Sequence, residues 1–145
     1  MTTAEWTNVF HFTAHDNNIG NFGDRIPAVF IHKNGSVESF LVCSAVNDDN
    51  NFCKDYEFEL GIKYQFTIQQ LKKDGKYWYE IILDGESAFK TENGNPKSFA
   101  NVKFYRSDPW YPPFSSDLGM IDDFKITVPA TDVLGNTYYF LIILS

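Results

Sequence analysis

Aromatic rings and prolines are concentrated in one short stretch, "YRSDPWYPPF", at residues 105–114. Proline fixes φ and lacks the backbone donor of a strand ladder, so this stretch is predicted to be an ordered loop rather than a central strand. The flat faces of Trp110 and Tyr111, restricted by the prolines, could stack on a sugar ring or anchor a protein partner. Asp108 and Arg25 are the polar residues that we assign to the same ligand site. The alternative is that the two rings close one end of the fold and serve packing alone.

A second loop, "HDNNIGNFGDR" at residues 15–25, is rich in side-chain oxygens. Asp16, Asn18 and Asp24 are candidate calcium ligands, because Ca²⁺ takes about six to eight oxygen ligands and the loop glycines permit sharp turning. The alternative is an Asx-rich turn whose side chains bond to their own backbone.

Three carboxylates, Asp55, Glu57 and Glu59, alternate with aromatic residues in "DYEFEL". On a strand they would share one face, where two carboxyl groups can approach the ~5–5.5 Å separation of a retaining glycosidase. The solvated face of any amphipathic strand has the same pattern. His11 and His15 are joined by no cysteine or third histidine, which favours structural histidines over a metal site. We therefore expect no enzyme.

Two cysteines, Cys43 and Cys53, flank the polar stretch "SAVNDDNNF". If Asp48 is the centre of a hairpin, the two residues face each other at a Cα separation that a disulfide can bridge. Two free buried thiols are the alternative, so the redox compartment stays open.

The chain of 145 residues carries a formal net charge of −7 and no cluster of Lys or Arg. This charge argues against nucleic acid and acidic membranes as partners. The N-terminus has no basic segment followed by an apolar run, and the apolar "YYFLIIL" near the C-terminus is far shorter than the ~20 residues that span a bilayer. We expect either a cytosolic protein or a mature domain of a secreted one. The sequon Asn34-Gly35-Ser36 adds only a faint indication of secretion.

Short runs of alternating apolar and polar residues, separated by turn signals, follow one another along the chain. The pairs Asn34-Gly35, Asp74-Gly75 and Asp84-Gly85 tolerate the positive φ that type I′ hairpin turns require. The enrichment in Phe and Tyr is typical of strands. We predict about eleven short strands, no helix, and one domain over residues 1–145, folded as an antiparallel sandwich or barrel.

Three segments of the second half occur in a familiar order: the hairpin "YWYEIILDGESAF", the connection "NGNPKSFANVKFY" and the late strand "GMIDDFKI". From about Tyr64 onwards the chain thereby resembles the concanavalin A-like jelly roll of laminin G-like modules, pentraxins, galectins and legume lectins. The resemblance implies an all-β, antiparallel two-sheet β-sandwich and, in laminin G-like and pentraxin modules, calcium binding. The galectin pattern His-x-Asn-x-Arg followed by Trp-x-x-Glu is missing, so galactoside specificity does not carry over.

Together these features lead us to expect a non-enzymatic, lectin-like recognition module that binds a glycan or glycoprotein, with Ca²⁺ as its candidate cofactor. The alternative is a protein-interaction or structural adhesion module of a larger extracellular assembly, and a glucanase-type glycosidase comes third. We expect an extracellular or cell-surface location, or otherwise a cytoplasmic one. We expect no nucleic acid partner and no membrane insertion, and the oligomeric state stays open.

Overall fold

The computed structural model of the chain describes residues 6–14, 25–34, 37–59, 61–97, 102–107, 109–112, 121–127 and 139–144. Within these ranges the chain forms ten β-strands. In chain order they are β1 (Trp6–Thr13), β2 (Ala28–Asn34), β3 (Val37–Val46), β4 (Asp49–Glu57), β5 (Tyr64–Lys73), β6 (Lys76–Leu83), β7 (Glu86–Glu92), β8 (Lys103–Arg106), β9 (Ile121–Thr127) and β10 (Tyr139–Leu144). They belong to two compact units, one of Met1–Leu60 with Phe99–Leu118 and one of Gly61–Ser98 with Gly119–Ser145.

The strands form two five-stranded antiparallel sheets, ordered β4-β3-β2-β1-β8 in the first unit and β7-β6-β5-β10-β9 in the second. The prediction of an all-β fold with antiparallel sheets is confirmed. The expected number of about eleven strands is too high for the described ranges, because each alternating run forms one strand and none divides in two. No helix in the described part of the chain has the length and apolarity needed to cross a membrane.

Strand β1, which lies between β2 and β8 in the first sheet, is buried from Thr7 to Thr13. A β-bulge between Asn8 and Phe10 interrupts its pairing with β2, so that Asn8 lies opposite Phe30 and His11 lies opposite Ala28. Because the bulge adds one residue, His11 returns to the sheet face of Asn8, although strict alternation would place it on the other face. The face that carries Asn8, His11 and Phe30, which we call the aromatic face, contains the candidate site.

The hairpin between β3 and β4 brings the two cysteines together. Cys43 pairs with Cys53 across the strands, their Cα atoms are 4.1 Å apart, and a disulfide joins them. The turn residues are Asn47 and Asp48, both at positive φ, and a register shift opposite Ser44 and Val46 adds one residue to β4. The bulge thus produces the register that a hairpin centred on Asp48 predicts.

Two tight turns join the strands β5, β6 and β7 of the second unit. Asp74-Gly75 and Asp84-Gly85 have positive φ at both residues, as the type I′ prediction requires, and Lys73 pairs with Lys76 directly across the first turn. In the first unit, Asn34 pairs with Val37 and is the last residue of β2, whereas Asn34-Gly35 was expected to form the turn itself. Turn chemistry therefore predicts the position of a hairpin to within one residue.

A buried carboxylate, Glu80 on β6, lies at the centre of a polar network in the second unit. The exposed fraction of Glu80 is 7%. Its carboxylate accepts hydrogen bonds from Gln69 Nε2 at 2.7 Å and Ser87 Oγ at 2.6 Å, and Lys90 Nζ is 3.6 Å away. Burial acts to raise the pKa of Glu80, but the hydrogen bonds from Ser87 and Gln69 and the charge of Lys90 outweigh it, so the pKa lies below its ordinary value.

Candidate functional site

The aromatic-proline loop is attached to β1 of the first unit by backbone hydrogen bonds. Ser107 N donates to the carbonyl oxygen of Val9 at 3.2 Å, and Asn8 N donates to that of Pro112 at 3.3 Å. The described loop residues, 107 and 109–112, contain no strand, as the prolines predict. The two bonds hold the intervening rings of the loop beside the aromatic face.

Trp110 packs within the unit with part of its surface buried. Its ring meets His11 edge to face at a centroid distance of 5.3 Å, and Tyr105 at 5.6 Å. His11 is fully buried and also makes an edge contact with Phe30, at 6.3 Å. Edge-to-face aromatic pairs at these distances stabilise packing. Trp110 therefore packs against rings of its own unit.

Tyr111 contacts the aromatic face more directly. Its ring meets Phe30 edge to face at 4.9 Å, and its hydroxyl oxygen accepts a hydrogen bond of 2.8 Å from Arg25 Nη2. The residue remains half-buried. Arg25 and Tyr111, which we assigned to one ligand site from the sequence, are thus in direct contact.

Arg25 makes two further contacts on the aromatic face. Its guanidinium carbon lies 5.2 Å from the centroid of the Phe30 ring, and its Nη1 lies 4.0 Å from the sulfur atoms of both Cys43 and Cys53. A planar guanidinium can stack on a ring while donating hydrogen bonds in its plane. Its Nε is buried and has no hydrogen-bond partner among the residues that the structure describes. One side chain therefore connects the loop, the ring floor and the disulfide.

Two residues that sequence reasoning missed complete the site. Trp6 and His32 are direct cross-strand partners whose rings lie 4.4 Å apart, and Trp6 also meets Phe30 edge to face at 6.0 Å. Both are half-buried. Alternation within β1 and β2 predicts the faces of these residues separately. Their proximity depends on the β1–β2 register, which no turn signal fixes.

The carboxylates of the edge strand β4 lie on the aromatic face as well. Asp55 pairs with Leu41, which pairs with Phe30, while Glu57 pairs with Ser39, which pairs with His32. Residues opposite each other in antiparallel strands share a face. Asp55 and Glu57 are exposed. Glu59 lies beyond the end of β4, so the expected set of three carboxylates on one strand is reduced to two.

Several predicted site residues lie outside the described residues. They are Asp108 of the ligand set, Asp16, Asn18 and Asp24 of the calcium set, and His15. Among the residues with described positions, no group of three or more His, Cys, Asp or Glu side chains could hold a metal ion. The calcium prediction therefore stays a prediction.

The site thus consists of two half-buried rings, Trp6 and Tyr111, that each contact Phe30, with Arg25 above Phe30 and two exposed carboxylates on the same face. It offers ring surface for stacking and both charged donors and acceptors for hydrogen bonds. No protein-family model matches the chain, and comparison with curated proteins and with solved structures gives no match.

Proposed function

We propose that the protein is a non-enzymatic glycan-recognition module whose binding surface is the aromatic face of the first unit. The observation that carries this proposal is the pair of half-buried rings, Trp6 and Tyr111, that both contact Phe30 edge to face. Partly exposed rings held by neighbouring rings lose little conformational freedom when a sugar stacks on them. Exposed Asp55 and Glu57 on the same face supply acceptors for sugar hydroxyl groups.

Arg25 supports the proposal by fixing the orientation of Tyr111. The hydrogen bond of 2.8 Å to the Tyr111 hydroxyl and the edge-to-face contact with Phe30 restrict the orientation of the ring. Preorganised contacts of this kind improve affinity because less ordering is needed on binding. The buried Nε of Arg25, without a partner among the described residues, is a further donor close to the site.

The test is a glycan array followed by calorimetric titration of the strongest hit. We expect Tyr111→Ala and Trp6→Ala each to weaken binding of that glycan by about 5- to 150-fold, since stacking of one ring contributes ~1–3 kcal/mol in comparable aromatic platforms. Trp78→Ala is the matched control, because Trp78 is a half-buried tryptophan of the second unit. A blank array, or equal losses in all three variants, would contradict the proposal.

The second candidate is a protein-interaction or structural adhesion module, and the packing of Trp110 favours it. The ring of Trp110 contacts His11 and Tyr105 of its own unit, as expected of a loop that serves packing. In that case Trp110→Ala should lower the free energy of unfolding by up to about 3 kcal/mol and leave any glycan affinity unchanged. A glucanase-type activity is the third candidate, for which turnover must disappear in Glu57→Gln.

We also propose that the chain is one concanavalin A-like jelly-roll domain with an extracellular or cell-surface location. The purely antiparallel pairing of both sheets supports the jelly-roll fold. The Cys43–Cys53 disulfide supports the extracellular location, because disulfides persist in oxidising compartments. Calcium assistance is tested by thermal melting with Ca²⁺ or with EDTA. A melting temperature raised by Ca²⁺ would show preferential binding to the folded state.

A further inference from the structure

The disulfide on the aromatic face is asymmetric in its access to solvent and has a cation beside it. Cys43 is fully buried, with an exposed fraction of 0%, whereas Cys53 is half-buried on the edge strand β4. Arg25 Nη1 lies 4.0 Å from both sulfur atoms. The proposed glycan site makes no use of this chemistry.

We infer that the Cys43–Cys53 bridge is a thiol-exchange site that a small thiol opens from its Cys53 side. The attacking thiolate forms a new S–S bond to Cys53 Sγ, the Cys43–Cys53 bond breaks, and Cys43 leaves as a thiolate. A second thiolate then attacks the mixed disulfide, which releases Cys53 as a thiolate. The bridge is thereby reduced by two electrons, and two molecules of the small thiol are oxidised to their own disulfide.

Access and charge both favour this direction of attack. The rate of exchange depends on which sulfur can be reached and on how readily the leaving thiolate is stabilised. Cys53 is the more exposed of the two residues, so we expect a thiolate to attack its sulfur and Cys43 to be the leaving group. A neighbouring arginine stabilises a thiolate relative to the thiol, and Arg25 is positioned to act on Cys43 in this way.

The exchange is coupled to the candidate glycan site through the same guanidinium. Arg25 Nη2 holds the Tyr111 hydroxyl while Nη1 faces the two sulfurs. A thiolate on Cys43 attracts Arg25 more strongly than the neutral disulfide does. The oxidation state of the bridge therefore changes the position of Tyr111. The inference of thiol exchange does not rest on the proposed glycan function.

The experiment treats the full chain with 2-mercaptoethanol at pH 8, quenches with iodoacetamide, and maps the adducts by mass spectrometry. A neutral thiol is chosen because exposed Asp55 on the same face would repel an anionic one. We expect the first product to carry mercaptoethanol on Cys53 and carbamidomethyl on Cys43. We expect its rate to rise linearly with thiol concentration and to be unchanged by urea below the unfolding transition.

A matched pair of variants tests the role of the cation. Arg25→Gln should slow the first exchange step about tenfold, because a less stabilised thiolate leaves more slowly. Lys54→Gln is the control. Lys54 is adjacent to Cys53 in sequence, but its partner is Val42 and its ammonium lies 5.3 Å from the Phe52 ring, so alternation places it on the opposite face. This variant should exchange at the wild-type rate.

Three results would overturn the inference: a first adduct on Cys43, a rate that grows with urea as global unfolding does, or equal slowing in Arg25→Gln and Lys54→Gln. If Arg25→Gln does not fold, the adduct position and the urea dependence of the wild-type chain decide alone. Tyr111→Phe separates the two contacts of Arg25, since it removes the phenol acceptor but keeps the cation, and its exchange rate should stay at or above that of the wild type.

Discussion

Arg25 shows how much one side chain can organise on a sheet face. It donates to Tyr111, lies above Phe30 and faces the disulfide at once. Lysine cannot replace these contacts, because its single ammonium has no planar group to stack and no second set of in-plane donors. The sequence placed Arg25 and Tyr111 in one ligand set, but it contained nothing that linked Arg25 to the cysteines. That link depends on contacts between segments far apart in the chain.

Glu80 gives a prediction at the residue scale, because its pKa is lowered in the folded state. The unfolded chain then takes up the proton first, near the ordinary glutamate pKa of about 4.3. The contribution of Glu80 to stability is present above that pH and is lost as the pH falls through the lower folded pKa. We expect Glu80→Gln to lower the free energy of unfolding by about 1–3 kcal/mol at pH 7.

Urea unfolding at a series of pH values from neutral to strongly acidic checks this expectation. The difference between wild type and Glu80→Gln should shrink as the pH falls through the folded pKa. Glu86→Gln is the control, since Glu86 is an exposed carboxylate in the same unit. A difference that stays constant with pH would show that Glu80 acts through packing rather than through its charge.

At the scale of elements, local signals locate the strands, while the bulges depend on pairing. Asp74-Gly75 and Asp84-Gly85 define two hairpins because their turn conformation is encoded in the residues themselves. The bulge between Asn8 and Phe10 changes the face of His11 with no Gly or Pro to indicate it. Such a bulge follows from the fit of whole strands against each other, which a period-two pattern does not contain.

The two hairpin glycines give a prediction for these elements. Gly75 and Gly85 have φ of +78° and +86°, and a Cβ added at either would meet nothing within 4 Å. The cost of Gly75→Ala or Gly85→Ala is therefore a backbone cost of roughly 1–2 kcal/mol. Urea unfolding should show this loss for each variant. The corresponding asparagine variants should lose less, because asparagine tolerates the left-handed region; equal losses for alanine and asparagine would contradict a backbone origin.

At the scale of the whole molecule, the chain passes between the two units three times, after Leu60, Ser98 and Leu118. Each unit is therefore built from two separate segments, and each sheet contains strands from both of its segments. If one unit unfolded alone, the other would have to keep its separate segments together across a long flexible loop, which costs loop-closure entropy. Sequence periodicity predicts the strands of both sheets but not this interleaving, because β8 returns to β1 only through a pairing distant in sequence.

We therefore predict that the whole chain unfolds in a single cooperative transition. Trp6 belongs to the first unit and Trp78 to the second. Two variants each keep one of these tryptophans and have the other two tryptophans changed to Phe, so that the fluorescence of each variant reports on one unit. Far-UV circular dichroism of the same variant reports on both sheets. The two midpoints should coincide in each variant, as in a two-state transition. Separate midpoints in either variant would show that the units unfold independently and that the single-domain prediction over residues 1–145 is wrong.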